Sequence, residues 1–268
     1  MLELHCHTTY SDGRLTPTEL VNLAIATGVK ALAITDHDTM GGWDEAIAAA
    51  PENLEIVPGL ELSTVCREKS LHILGFFPDR AKLQGPLQER LDGRKRRASM
   101  MRDRLAELGY PVTLPAMGEG MAPGRPHIAA ALKAAGYVTS IQEAFSRFLA
   151  DGKPAYVEYE KFDVCDGIAL LRSVGAVPVW AHAGLFRGAT VETVLPELVE
   201  AGLMGLEVYH PEHSPSDRRQ LEDYCQQYDL IKTGGSDFHG PSKQHPGLNG
   251  LALPLTLLDE LKAVRHQA

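Results

Sequence analysis

The chain has 268 residues, 44% of them hydrophobic, with 35 acidic against 26 basic side chains and a formal net charge of -9. That length allows a sizeable core, and the acidic balance argues against bulk attraction to long DNA or RNA while leaving small anionic substrates open. No apolar stretch approaches the roughly 20 residues of a membrane span and no basic start leads into a long apolar run, so the expectation is a cytoplasmic enzyme without a membrane partner.

Leu2 to His5 reads as a short strand. Thr16-Pro17-Thr18-Glu19 supplies an N-cap, a proline at the first helical position and an early acid, which predicts a helix running to about Gly28. Lys30 to Thr35 reads as a buried strand, Trp43 to Ala50 as a helix and Leu54 to Leu62 as a strand. The alternation returns late, with helices over 163–174, 191–201 and 216–227 and strands over 177–181, 205–209 and 230–233. Repeated strand-then-helix units imply a mainly parallel sheet or barrel, in which function collects in the loops after the strands.

Between these blocks the pattern is all-helical. A charged helix is predicted from Pro86 to Leu108, then a Pro/Gly-rich link, then helices over 126–135 and 140–149. The expected organisation is a barrel from 1–78 and 161–268 with a helical insertion over 79–160.

The residues that carry chemistry sit where predicted strands end. His5 and His7, two apart, point the same way along the first strand, and Asp12 follows in the loop. Asp36 and His37 close the second strand, Glu61 the third, and His72 starts or lies within the next. His182 closes a later strand, and Asp237 and His239 follow the last. Any one of these could be a turn former, a helix cap or a hydrogen-bonded structural residue. Together they form an imidazole and carboxylate set that suits Mn²⁺, Zn²⁺ or Fe²⁺ and exceeds one ion's needs. The four cysteines, Cys6, Cys66, Cys165 and Cys225, are scattered and read as free thiols, and alternation sends Cys6 away from the two flanking histidines.

His5-Cys6-His7 with Asp12, Ile34-Thr35-Asp36-His37-Asp38, Gly59-Leu60-Glu61, Ala181-His182-Ala183-Gly184 and Gly235-Ser236-Asp237-Phe238-His239 resemble the successive motifs of the PHP (polymerase and histidinol phosphatase) family. The resemblance implies an α/β fold, a distorted (β/α)₇ barrel of the amidohydrolase-like group with a trinuclear metal centre. Ala183 stands where relatives often have proline, which removes no ligand. Carried over by position, one metal would be held by His5, His7, Glu61 and Asp237. A second would use Asp12, His37 and His239, and a third Glu61, His72 and His182, with Glu61 as the bridge. The family's cofactors imply two to three divalent ions, Mn²⁺ before Zn²⁺ or Fe²⁺, and a nucleophilic hydroxide between metals.

The insertion bears on substrate. Arg90, Arg94 and Arg97 share one helix face, with Lys95, Arg96, Arg102 and Arg104 spread around it, a pattern equally typical of a solvated helix. Arg125-Pro126-His127 opens an apolar helix, where a phosphate could meet both a guanidinium and a helix N-terminus. With Lys153, His210, His213 and Arg218, these residues resemble the PHP subgroup with a helical insert that acts on nucleotides. By that similarity the substrate contacts would be Asp12, Arg94, Arg97, Arg125, His127, Lys153, His210, His213 and Arg218, and His210 or His213 would be the candidate acid. The implied reaction removes the 3′-phosphate of a nucleoside 3′,5′-bisphosphate, with short 5′-phosphorylated RNA as a second substrate. The alternatives are a histidinol-phosphate-type phosphatase, disfavoured by the basic insert, and a non-catalytic metal-bound accessory domain, disfavoured because every metal position is filled.

Overall fold

The computed structural model describes residues 1–118, 122–158, 162–241 and 247–265. Its strands are β1 (Leu2–Glu3), β2 (Ala31–Ile34), β3 (Glu55–Cys66), β4 (Lys69–Phe76), β5 (Val177–Trp180), β6 (Gly205–Tyr209) and β7 (Ile231–Gly234). The helices are α1 (Pro17–Ala26), α2 (Trp43–Ala49), α3 (Arg80–Glu107), α4 (Arg125–Ala134), α5 (Ile141–Ala144), α6 (Val164–Ser173), α7 (Val191–Glu200), α8 (Pro215–Tyr228) and α9 (Thr256–Val264). The chain divides into two compact units, one of Met1–Gln84 with Phe162–Ala268 and one of Gly85–Lys161. The junction expected at 160 and 161 falls outside the described residues.

In the first unit the seven strands form one sheet in sequential order. The loops after β1 and β7 draw its ends together, because Cys6 bridges Phe238 and the His7 N–H donates to the Phe238 carbonyl at 2.9 Å. A nearly closed, distorted barrel results. Leu2 and Leu4, Ala31 and Ala33, Leu74 and Phe76, and Val177 and Val179, each pair two residues apart, join one apolar core with Leu257, Leu258 and Leu261 of α9. In the second unit Ala98, Met101 and Leu105 of α3 pack with Ile128, Ala129 and Leu132 of α4 and with Phe148 and Leu149.

Most predicted elements form within a residue or two of their expected bounds, and the capping box at Thr16 and Glu19 starts α1 as its residues require. Four features differ. The ordered part of β1 ends at Glu3, so His5 and His7 lie just beyond it. β3 continues to Cys66 and turns through Arg67 and Glu68, both at positive φ (49° and 65°), into an antiparallel β4. That hairpin interrupts the otherwise parallel order, with β4 antiparallel to β3 and to β5. α3 begins six residues before Pro86, at Arg80, because Asp79 accepts the Ala81 and Lys82 N–H groups and caps it. The predicted 140–149 helix breaks into α5 and a π-helical turn over Phe145–Leu149.

One buried carboxylate ties the barrel's seam. Glu3 is 1% exposed and accepts the Ser236 N–H at 2.7 Å, the Ser236 hydroxyl at 3.0 Å and the Asn249 N–H at 2.9 Å. Burial pushes its pKa up to about 7 against the pull of these donors. Removing it strands buried backbone donors, each costing about 1 to 3 kcal/mol. Glu3→Ala should therefore lower Tm by at least several degrees, roughly 2 to 4 °C per kcal/mol for a domain of this size. A melt that matches the wild type would show that the seam does not depend on this residue.

Candidate metal centre

Strands β3 and β4 and the loops beyond the other strands deliver their side chains to one place. The Glu61 carboxylate, 1% exposed in β3, is the point of convergence. Its Oε2 lies 3.3 Å from His5 Nε2, 3.1 Å from His7 Nε2 and 3.2 Å from His37 Nδ1. Its Oε1 lies 2.9 Å from His72 Nδ1 and 3.1 Å from His182 Nε2. The hairpin explains His72: Glu61 pairs with Leu74 and Ser63 with His72, so His72 is the diagonal neighbour of Glu61 on the same face.

A second carboxylate closes the group from the opposite side. Asp237 Oδ1 stands 3.1 Å from His7 Nε2, 3.3 Å from His5 Nε2 and 3.5 Å from His239 Nδ1. Gly235 precedes it where a Cβ would fall 2.4 Å from the His5 backbone nitrogen, so only glycine lets this loop pass so close. Asp12 Oδ1 lies 3.2 Å from His239 Nε2, and Asp12 Oδ2 lies 3.9 Å from His37 Nε2.

Among the described residues three donor groups emerge, each compact enough for one cation: His5, His7, Glu61 and Asp237; His7, Asp12, His37 and His239; and His37, Glu61 and His72. The first is the set expected for one metal. The second gains His7 over the expected set. The third contains His37 where His182 was expected, although His182 also reaches Glu61. Cys6 joins none of them; it is fully buried, which pushes its thiol pKa up. Asp36 is a loop organiser: it accepts the Thr8 N–H and hydroxyl, both at 2.7 Å, and the Ser11 hydroxyl at 2.6 Å.

The donors fit divalent ions. His5 Nε2, His7 Nε2, His37 Nδ1, Asp12 Oδ1 and Asp237 Oδ1 are buried without a hydrogen bond, an arrangement that costs free energy unless a cation satisfies them. They lie close together but are misaligned for hydrogen bonding, as donors aimed at a shared ion would be; ligands about 2 Å from one ion sit roughly 3 Å apart. Charge coupling is strong. Burial opposes ionisation of Glu61, Asp237 and Asp12, yet the surrounding imidazoles hold all three below the usual carboxylate range. Burial likewise works to lower the His7 pKa, but contact with Asp237 and Glu61 pushes it up to about 10. His37 goes the other way, down to about 4, because burial wins.

Near this group, His210 is buried with Nδ1 accepting the Glu212 N–H at 3.2 Å. Its Nε2 lacks a hydrogen bond and stands 4.0 Å from Asp237 Oδ2. Burial lowers its pKa to about 4. His213 is differently placed: its Nδ1 donates to the Val208 carbonyl at 2.9 Å and its Nε2 accepts the Gly184 N–H at 3.2 Å, so the backbone engages both nitrogens. Arg218 donates to the His210 carbonyl at 2.9 Å. Two carboxylates that sequence reasoning passed over also belong here. Glu207 of β6 contacts His5 and the His182 backbone, and Glu3 holds Ser236 beside Asp237.

Within the second unit, Arg125 pairs with Asp151 at 3.0 Å, and its guanidinium lies 5.9 Å from the Phe145 ring and 5.7 Å from Tyr156. Arg97 donates to the Val157 carbonyl at 2.8 Å and lies 5.6 Å from the same Tyr156 ring. His127 Nδ1 accepts the Gly124 N–H at 3.1 Å, Arg94 is half-buried on α3, and Lys153 is exposed.

Comparison with known proteins settles the family. The PHP domain model matches residues 3–144. The chain belongs to the PHP family. It is 35% identical over 247 residues to a 5′-3′ exoribonuclease of Haemophilus influenzae, covering 89% of this chain and 90% of that one. It is 32% identical over 251 residues to the 3′,5′-nucleoside bisphosphate phosphatase of Chromobacterium violaceum, covering 90% of this chain and 88% of that one. A crystal structure of a candidate metal-dependent phosphoesterase from Bifidobacterium adolescentis superposes with a TM-score of 0.88 at 34% identity, covering 98% of this chain and 95% of that one. The protein is thus a metal-dependent PHP phosphoesterase, a hydrolase of phosphate esters, with a His/Asp/Glu cluster able to bind metals. Among the described residues, no helix is long and apolar enough to cross a membrane.

Because the His7 pKa is, against burial, pushed up to about 10 by Asp237 and Glu61, its imidazole is charged at neutral pH before metal enters, and metal must displace a proton. Ion affinity should rise with pH through neutrality, about tenfold per pH unit for each proton displaced. Calorimetric titration with Mn²⁺ in buffers of different ionisation heat should show release of at least one proton per chain. Identical heats in all buffers would contradict this charge assignment.

Proposed function

We propose that this phosphoesterase removes the 3′-phosphate of nucleoside 3′,5′-bisphosphates, adenosine 3′,5′-bisphosphate among them, and accepts short 5′-phosphorylated RNA by the same ester chemistry. The observation that carries the reading is the overlap of three donor groups through His7, His37 and Glu61. Shared donors suit two to three closely spaced ions, with Mn²⁺ first and Zn²⁺ or Fe²⁺ as alternatives for an imidazole and carboxylate set. Ions at such a centre supply an acidified water and neutralise charge on non-bridging phosphoryl oxygens. Similarity to a bisphosphate phosphatase and an exoribonuclease supports the nucleotide class.

His5, His7, Glu61 and Asp237 would hold one ion, and Asp12, His37 and His239, with His7 adjoining, a second. Glu61, His72 and His182 would supply the donors of a third. His210 adds a proton at a defined atom: Nδ1 is occupied as an acceptor, so Nε2 carries the hydrogen of the neutral ring. With its pKa lowered, His210 serves as a neutral hydrogen-bond donor to a phosphoryl oxygen. His213 braces the turn at Gly184, leaving His210 as the member of the pair available to substrate. Recognition of the 5′-phosphate is assigned to the Arg94, Arg97, Arg125, Lys153 and Arg218 cations and to the His127 imidazole, the residues by which the sequence resembles the nucleotide-directed subgroup.

The decisive assay follows, with Mn²⁺-loaded protein, phosphate release from adenosine 3′,5′-bisphosphate and histidinol phosphate, and nucleoside 5′-monophosphate release from short 5′-phosphorylated RNA. The bisphosphate should give phosphate and the 5′-monophosphate fastest; preference for histidinol phosphate would overturn the nucleotide assignment. Elemental analysis of the reloaded protein should exceed one ion per chain. Asp237→Asn and His7→Ala should each lower kcat by several orders of magnitude in a folded protein, since one loss disrupts water activation and charge neutralisation together. Arg125→Ala should cost about one to two orders of magnitude in kcat/KM on 5′-phosphorylated substrates and far less on the same nucleotides without that phosphate. Equal losses on both, with a lowered Tm, would assign Arg125 to the insertion's own packing with Asp151 and Tyr156.

A further inference from the structure

Glu207 sits in the middle of β6, in the otherwise apolar run Gly205 to Tyr209, and is 0% exposed. A lone carboxylate in such a strand is costly unless charge-assisted bonds offset its desolvation. It makes two. Oε1 lies 2.9 Å from His5 Nδ1, and Oε2 accepts the His182 backbone N–H at 2.7 Å. Burial opposes its ionisation, but the neighbouring His5, His210 and His182 keep its pKa below the ordinary value.

We infer that Glu207 is a positioning residue of the metal centre, fixing which nitrogen of His5 faces the ions and holding the turn that presents His182. The argument is one of donors and acceptors. A carboxylate only accepts, so the His5 Nδ1 beside it carries a hydrogen, and in the neutral ring the lone pair is left on Nε2. Nε2 is the atom that faces Glu61 and Asp237, 3.3 Å from each, buried and without a hydrogen bond. The other oxygen holds a backbone under strain. His182 has φ 37° and ψ 47°, a left-handed conformation that is strained for a non-glycine residue and needs a local restraint. One side chain of β6 therefore sets the tautomer of one ligand and the backbone of another.

The inference rests on the metal-centre reading above, and its test separates the two. Glu207→Gln keeps the shape but offers one acceptor and one donor where both partners donate. If the amide oxygen stays with His182, its NH₂ faces His5 Nδ1 and turns the Nε2 hydrogen toward the ions. If the oxygen stays with His5, the NH₂ opposes the His182 N–H. Either arrangement damages a ligand. Competition with a chelator for Zn²⁺ should show the tightest site weakened about 10- to 100-fold in Glu207→Gln. Nitrogen-15 histidine spectra of the Zn²⁺-loaded wild type should show His5 protonated at Nδ1 and metal-bound at Nε2, a signature that a merely structural carboxylate would not impose. Wild-type Zn²⁺ affinity in a folded Glu207→Gln protein would overturn the inference. So would a wild-type spectrum with His5 bound through Nδ1, which decides the matter even if the variant fails to fold. A wild type that takes up no Zn²⁺ at all would overturn the metal-centre reading itself, and this inference with it.

Discussion

The structure turns on one buried carboxylate. Glu61 is surrounded by five imidazoles, from His5, His7, His37, His72 and His182, at 2.9 to 3.3 Å. Only His72 and His182 hydrogen-bond the carboxylate, through Oε1, and the ring nitrogens of His5, His7 and His37 that face it are left buried without a hydrogen bond. A folded chain tolerates such a cluster where cations complete it, because bound ions invert the local charge logic. The barrel makes the cluster possible by bringing residues far apart in sequence to the ends of neighbouring strands.

Around that cluster stands a ring of carboxylates whose task is geometry. Asp36 gathers Thr8 and Ser11 into the loop that follows His7. Asp38 accepts the Ser63 N–H at 2.8 Å and so pins the loop after β2 to β3 beside Glu61. Glu3 and Glu207 hold Ser236 and His182 from the inside of strands β1 and β6. Asp237 and His182 both adopt left-handed backbone conformations, and each lies at or next to a backbone N–H held by one of these two glutamates. Strain at the reacting end is thus restrained by bonds placed one layer below it.

Much of this was legible in the sequence, for identifiable reasons. Alternating strand and helix patterns with strong caps, such as Thr16 to Glu19, are local signals and located most elements. Histidines and acids at strand ends stand out because their chemistry is unusual there. The β3–β4 hairpin was not legible, since its turn at Arg67 and Glu68 lacks the Gly or Asn that normally marks positive φ. α3 was expected to start at Pro86, because proline favours a first turn; the Asp79 cap outweighs that preference and leaves Pro86 inside the helix. Glu3 and Glu207 belong to no motif singled out in the sequence. The available signal was a single carboxylate within an apolar strand, whose partners, 233 and 202 residues away, only the fold reveals. His213 was indistinguishable from His210 in the sequence, and only the backbone contacts at Gly184 and Val208 separate them.

The central claim is that the donors converge on ions rather than on each other. A crystal structure of Mn²⁺-loaded protein, with anomalous data collected at the manganese edge, tests it most directly. The account predicts at least two anomalous peaks, one among His5, His7, Glu61 and Asp237 and another among Asp12, His37 and His239. A fully loaded crystal with no peak in the cluster, or with its manganese bound elsewhere on the chain, would contradict it.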